Sequence, residues 1–188
     1  MIEDIVSHHL CIYSHNKAHH KPETRFPKNR QNTTMPPPPL TTIDLPAIKT
    51  RSWTLKTTYT ISDIISYNLA LGAPGSSLPL VYEAHPNFHA LPTYGAVPCI
   101  AIMGLVHASM HDFLPNFKGH AHVHGEHYLR LRTAYPVPEG NGQVELETTA
   151  RVVDIVARLT GVLVCVDIVT REEGSRDVIY ARTSGRVS

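Results

Sequence analysis

The residues best suited to chemistry include a short run of histidines and glycines in the second half of the chain. His120, His122 and His124 alternate, so on an extended segment their imidazoles would project to one side. Three imidazoles on one face can bind zinc. Alternatively, Gly125 permits a close approach of the backbone, and His124 beside Glu126 could line a substrate tunnel. The spacing alone leaves both interpretations open.

Two other positions are candidates for acid-base or ligand roles. Glu83 precedes a loop, where burial at a pocket mouth would alter its pKa and allow it to orient a substrate; a surface carboxylate is the plainer alternative. His107 and His111 lie four residues apart on one helix face and could form a metal pair. Histidines favoured by the dipole at a helix C-terminus are the simpler interpretation.

The composition excludes several classes of function. A formal net charge of +1 provides no field to hold a phosphate backbone, so no nucleic-acid partner is expected. Cys11, Cys99 and Cys165 lie far apart without paired spacing. We therefore expect neither a disulfide framework nor a thiolate zinc site, and a reducing compartment.

The apolar stretches and the chain termini bear on membrane insertion and targeting. The longest apolar stretch, residues 94–106, is shorter than the roughly 20 residues that span a bilayer, so no membrane span is expected. The N-terminus lacks the pattern of a secretory signal. Residues 185–188 do not match the Ser-Lys-Leu peroxisomal address, which by itself would indicate a cytoplasmic protein.

The composition divides the chain into two parts. Residues 1–50 contain five of the 13 histidines within the first 20 positions, and a run of four prolines at 36–39. No hydrophobic period is sustained there, which predicts a disordered Pro/His-rich extension. Residues 51–188 are predicted to form the folded domain.

The first half of the domain shows two helices and a short strand. Thr60 predicts the cap of a helix over residues 61–71, and the apolar run 78–83 predicts a strand. A second helix is predicted over residues 94–112, with Thr93 as its cap. Because that segment is apolar on nearly every face, we expect it to be buried.

The second half alternates as strands do. Strands are predicted over residues 127–135, 144–152, 162–169 and 178–183. Consecutive strands of this kind pair as antiparallel neighbours, and sheet and helix bury their apolar surfaces against each other. The predicted fold class is α+β, a single hot-dog domain with a curved antiparallel sheet wrapped around a long buried helix.

Four blocks of sequence carry a family resemblance. Residues 66–73, 80–83, 88–95 and 124–129 resemble, in order and spacing, the N-terminal half of the MaoC-like dehydratases. The similarity is greatest to the peroxisomal type-2 enoyl-CoA hydratases. In that family two hot-dog halves form one unit that adds water to a trans-2-enoyl-CoA in fatty-acid β-oxidation.

The resemblance implies a substrate-binding half and a peroxisomal location. The family's Asp and His lie in a Gly-Asp-x-Asn-Pro-x-His motif of the second half, and this sequence contains no Asn-Pro dipeptide. No catalytic residue, metal or cofactor is therefore expected, and a coenzyme A thioester is the implied substrate. The implied partner is a second copy in a homodimer or a separate catalytic half. The residues implied to bind substrate are Glu83, Tyr94, His124, Gly125 and Glu126.

Two other functions remain open at this point. A homodimer could hydrate or dehydrate acyl thioesters with Glu83 and His124 as its acid-base pair. The chain could also be a non-catalytic small-molecule or metal-binding protein that reuses the hot-dog fold, because a fold alone does not determine function.

Overall fold

The computed structural model describes residues 11–15, 43–115, 117–158, 161–175 and 178–181 of the 188-residue chain. Helices and strands alternate in the first half, and strands dominate the second. The helices are α1 Leu45–Lys49, α2 Ile61–Ala70, α3 Leu78–Val81 and α4 Ala96–Ala108. The strands are β1 Cys11–His15, β2 Trp53–Tyr59, β3 His122–Glu126, β4 Val144–Arg158, β5 Gly161–Glu172 and β6 Val178–Ala181.

The sheet is antiparallel throughout and is built on the long hairpin of β4 and β5. Its order is β2-β4-β5-β1-β3, and β6 also pairs with β5. The far edge of β5 is shared: β6 pairs with its C-terminal part at Val169–Arg171, and β1 pairs with its N-terminal part at Gly161–Cys165. Arg132 extends the sheet by donating its backbone N–H to the Ile179 carbonyl oxygen at 2.9 Å.

The core lies between the inner face of this hairpin and helix α4. Alternate residues of β4 and β5 face inward and are buried, as period-2 strands require. These residues are Leu146, Thr148, Ala150, Val152, Val164, Val166, Ile168 and Thr170. Helix α4 packs across β2 and β4 with Cys99, Ile102 and Val106 fully buried. The predicted α+β hot-dog arrangement is confirmed.

Helix α2 confirms the first predicted helix. The Thr60 hydroxyl accepts a hydrogen bond from the Asp63 backbone N–H at 3.3 Å, and the Asp63 carboxylate accepts one from the Thr60 backbone N–H at 2.8 Å. This capping box satisfies two backbone donors at the start of the helix.

Two predictions about the segment that precedes α4 were wrong. Residues 78–81 form helix α3, not a strand, because four apolar residues fit either period and Pro79 is suited to a first helical turn. Thr93 is not a helix cap, since Pro92–Gly95 form a 3-10 turn and α4 begins after Gly95. Pro98 therefore lies in the first turn of α4, where its missing N–H has no helical acceptor to lose.

The predicted strand over residues 127–135 was also wrong. The structure has only an isolated bridge at Leu131 there, although Leu129 and Leu131 are half-buried as the alternation requires. An extended chain that forms no hydrogen-bonded strand pair shows the same alternation of buried and exposed residues.

Conversely, β2 was not predicted, although its burial alternates along Trp53–Tyr59. Strands β4, β5 and β6 were predicted, and β4 continues past its predicted end through a bulge between Val152 and Asp154.

The structure describes two pieces of the Pro/His-rich extension. Strand β1 pairs with both β5 and β3, and Ile48 of helix α1 is buried in the core. The ordered chain therefore begins earlier than residue 51. The rest of the predicted extension lies outside the described residues.

Helix α4 and its flanking turns would suffice by length and composition to cross a membrane. Residues Pro92–Asp112 form a 21-residue run with a mean hydropathy of 1.4, longer than the apolar stretch considered from sequence. This run packs against the sheet, and 39% of its most apolar window is buried inside the protein. It is the core helix of the domain and not a span.

The side chain of Asn68 connects α2 by hydrogen bonds to the segment that precedes α4. It is fully buried, and its amide nitrogen donates to the carbonyl oxygens of Leu80 at 2.8 Å and His89 at 3.1 Å. Its amide oxygen accepts from the Leu91 backbone N–H at 3.1 Å. One side chain thus bonds to helix α3 and to the end of the loop that follows it.

We predict that Asn68→Ala lowers the free energy of unfolding by about 3 kcal/mol, because three partly buried backbone groups lose the fully buried amide that bonds them. Urea unfolding of the full chain measures the loss. Asn87→Ala is the matched control: its side chain is exposed, so a change within about 0.5 kcal/mol is expected. A loss below about 1 kcal/mol for Asn68→Ala would contradict the proposed fastening.

Candidate functional site

Four tyrosines cluster at the N-terminal end of α4. Tyr94 is at their centre, with its ring centroid 5.4 Å from Tyr59, 5.1 Å from Tyr67 and 5.5 Å from Tyr135. Two hydroxyls are fixed by backbone acceptors: Tyr59 donates to the Pro136 carbonyl oxygen at 2.6 Å, and Tyr67 donates to the Thr93 carbonyl oxygen at 2.7 Å. The Tyr135 hydroxyl is buried and has no hydrogen-bond partner within the described part of the chain.

Burial sets the chemistry of this tyrosine cluster. It raises the pKa of Tyr94 to about 12, and it also raises the pKa of Tyr59 and of Tyr135. These three phenols therefore stay neutral near pH 7 and cannot act as bases. Tyr59, Tyr94 and Tyr135 belong to the hydrophobic core, so the cluster packs the N-terminal end of α4 against its surroundings.

Glu83 lies in a different environment from Tyr94. Its side chain is exposed and borders an open cavity of about 540 Å³, next to Thr60 and Ser62 at the start of α2 and Pro138 and Gly140 of the turn before β4. Because Tyr59 and Thr60 are adjacent, this cavity lies at the same end of α4 as the tyrosine cluster. Glu83 therefore borders a cavity but is exposed and not buried at its mouth, and a role in orienting a substrate stays a prediction.

The block of His124, Gly125 and Glu126 lies on β3, at the other end of α4. His124 pairs with Ile12 of β1, and Gly125 and Glu126 are exposed. The side chain of His124 lies outside the described residues. The same strand begins with His122, whose ring stacks on His107 near the C-terminus of α4, with centroids 4.6 Å apart and planes inclined by 19°.

The five predicted substrate-binding residues therefore form two groups. Glu83 and Tyr94 belong to the N-terminal end of α4, and His124 to Glu126 belong to its C-terminal end. The 13 residues of α4 separate these ends by about 20 Å. The structure does not bring Glu83 and His124 together within one chain, and whether any of the five binds substrate stays a prediction.

The alternative metal pair of His107 and His111 has other neighbours in the structure. His107 meets His122 and not His111, whose Nε2 lies 3.1 Å from the Asp112 carboxylate. Among the described residues, no three His, Cys, Asp or Glu side chains are grouped so that they could hold one metal ion.

The outward face of α4 is exposed, although its apolar pattern predicted burial. Its largest residues are exposed: Ile100 to 63%, and Val97 and Leu105 to 42% each. The prediction that this helix is buried therefore holds for one face only. The exposed residues follow one helical stripe, which we call the α4 stripe: Val97, Ile100, Ala101, Gly104, Leu105 and Ala108.

The α4 stripe explains why the helix is apolar on nearly every face. One side packs on the sheet of its own chain, and the opposite side presents large apolar groups around small ones. Gly104 faces open space, so another backbone could approach it closely. Exposed apolar stripes of this kind mark interaction sites. The spacing 97-100-101-104-105-108 is visible in the sequence and could have identified this surface.

Comparisons with known proteins agree with the resemblance. Residues 57–186 match the family described as the MFE-2 hydratase 2 N-terminal domain. The chain is 33% identical over 97 residues to the peroxisomal hydratase-dehydrogenase-epimerase of Neurospora crassa and 34% identical over 98 residues to that of Saccharomyces cerevisiae. Each match covers 52% of this chain and 10% of the relative, so the chain spans a small part of the length of these proteins.

A solved structure shows the same fold. The full-length peroxisomal multifunctional enzyme type 2 from Drosophila melanogaster superposes with a TM-score of 0.54 at 20% identity, over 69% of this chain and 22% of that chain. At that identity the likeness concerns the fold alone. The family model, by contrast, matches most of the described domain and identifies the family. The chain belongs to the MFE-2 hydratase 2 N-terminal domain family.

Proposed function

We propose that this chain is the acyl-chain-binding half of a 2-enoyl-CoA hydratase, equivalently a (3R)-3-hydroxyacyl-CoA dehydratase, of peroxisomal fatty-acid β-oxidation. Family membership and the peroxisomal relatives support the pathway and the location. The substrate is a coenzyme A thioester, and no other cofactor takes part.

The half-enzyme role rests on the exposed α4 stripe. A helix whose outward face carries Val97, Ile100 and Leu105 is incomplete as an isolated surface and requires a cover. The cover we propose is a second hot-dog half, either a catalytic half that carries the Gly-Asp-x-Asn-Pro-x-His motif or, without one, a second copy of this chain. The acyl chain then lies between the halves.

The proposed roles of the two halves follow from the residues that each one carries. Hydration of an enoyl thioester needs a positioned base for the water and donors for the enolate oxygen. The motif that supplies the base is absent from this sequence, and the buried phenols at the end of α4 stay protonated. This half binds and orients the substrate, and its partner performs the proton transfer.

The competing functions receive less support. A dyad of Glu83 and His124 would need two chains, because these residues belong to opposite ends of α4 within one chain. A metal-binding role has no cluster of three ligands among the described side chains to support it.

Activity tests the proposal directly. We expect the purified full chain to show no hydration of trans-2-enoyl-CoA above the uncatalysed rate, and to contribute to turnover only when a separately produced half bearing the motif is added. Loss of the enoyl thioester absorbance measures the reaction. Turnover by this chain alone would exclude the non-catalytic role.

The α4 stripe gives a prediction for association. Leu105→Asp should weaken association with the catalytic half, or with a second copy, by about ten- to a hundredfold, because a buried leucine contributes roughly 1.5–3 kcal/mol. Sedimentation velocity measures the dissociation constant. Leu71→Asp is the control: it makes the same change at a leucine exposed to 56% beyond the end of α2. Equal effects of the two variants would contradict an interface on α4.

The two groups of predicted site residues give a third prediction. If the substrate extends along α4, Glu83→Ala and His124→Ala should each raise KM for an enoyl-CoA by about three- to tenfold in the assembled enzyme while kcat is retained. Steady-state kinetics with short and long acyl chains measures both constants. An unchanged KM in both variants would remove these residues from the substrate site.

A further inference from the structure

The turn before β4 contains an asparagine followed by a glycine. Asn141 and Gly142 form the single Asn-Gly pair in the sequence, and both residues are exposed. The Gly142 backbone N–H donates to the Glu139 carbonyl oxygen at 2.9 Å, which closes the turn. A Cβ at position 142 would lie 2.9 Å from that same oxygen, so the turn requires glycine there. The shape of the turn therefore leaves Asn141 with a neighbour that has no side chain.

We propose that Asn141 is a site of spontaneous deamidation. The Gly142 backbone nitrogen attacks the Cγ carbon of Asn141 and gives up its proton, so that an N–C bond forms, the C–NH₂ bond breaks and ammonia leaves. One water molecule then opens the cyclic imide. Attack of water at Cγ gives aspartate in a normal chain, and attack at the backbone carbonyl carbon gives isoaspartate. In both products one water has replaced one ammonia, and a neutral amide has become a carboxylate.

The hydrogen bond of the turn slows this reaction but does not prevent it. Attack requires the Gly142 nitrogen to leave the Glu139 oxygen. Because residues 139–142 are all exposed, this bond can open locally while the rest of the domain stays folded. One exposed backbone hydrogen bond retards the reaction by no more than about tenfold relative to an open chain.

Asn87 lies in a comparable turn and provides an internal control. Its side chain is also exposed, and the next backbone nitrogen, that of Phe88, donates to the His85 carbonyl oxygen at 2.9 Å. The two sites differ in the residue that follows the asparagine. Phe88 is buried in the core, which fixes its backbone and hinders the attack, whereas Gly142 is exposed and has no side chain.

Deamidation changes the charge of the cavity that Glu83 borders. Asn141 lines the same cavity of about 540 Å³, and Glu83 is the one charged side chain among the described residues that line it. The new carboxylate adds a second negative charge, which repels an anionic ligand. For an enoyl-CoA, whose phosphates are anionic, this consequence rests on the proposed function. The modification itself does not.

Peptide mapping of the folded full chain tests the modification. After incubation at mildly alkaline pH and trypsin digestion, mass spectrometry should find aspartate and isoaspartate forms of peptide 133–151. These forms should accumulate at least about tenfold faster than deamidation of Asn87 in peptide 57–118. Asn141→Gln should suppress them, because its longer side chain closes the imide ring more slowly. Equal rates at Asn141 and Asn87, or reaction of Asn141 only after guanidinium unfolding, would overturn the proposal.

Calorimetry tests the change of charge. Asn141→Asp should raise the Kd of the full chain for trans-2-decenoyl-CoA by about three- to tenfold at low salt, and high salt should reduce this effect. Asn87→Asp, the matched control, adds the same charge at an exposed asparagine that does not line the cavity, and a change within about twofold is expected. Equal Kd values for the two variants would refute the effect on the cavity. Absence of binding by the unmodified chain would instead contradict the proposed function, and the peptide map would still decide whether Asn141 is modified.

Discussion

The packing of α4 on the β4–β5 hairpin is the contact on which the rest of the domain depends. Cys99, Ile102 and Val106 are fully buried against inward-facing residues of the sheet, and Ile102 and Val106 each contribute roughly 1.5–3 kcal/mol by leaving water. The sheet covers only one side of the helix. Among the described residues the outward side, which carries Ile100, stays exposed, and the association proposed for this chain uses that side.

The two ends of α4 have different chemistry. The N-terminal end meets a cluster of buried, neutral tyrosines, and the C-terminal end meets a pair of stacked imidazoles on His107 and His122. The binding role proposed for this chain rests on the apolar length of α4 and on its exposed stripe.

The edge of β5 shows how an extension can become part of a domain. A long unpaired edge would invite association with other chains, and here β6 and β1 divide that edge between them. Strand β1 comes from the part of the chain whose composition predicts disorder. Its five residues can pair because β5 and β3 supply a partner on each side, so the order of β1 depends on the sheet and not on its own sequence.

The sequence by itself determined the fold class, the cap of α2, the strands β4 to β6 and the family, because their periodicity and motifs are local. Strands were wrongly predicted for residues 78–81 and 127–135, because short apolar runs there fit more than one secondary structure. The sequence also could not separate the two faces of α4, since both are apolar and only the sheet decides which one is covered. The division of the predicted site between the two ends of α4, and the position of Asn141 on the same cavity as Glu83, were decided by tertiary structure, because contacts between distant residues depend on strand register and helix length.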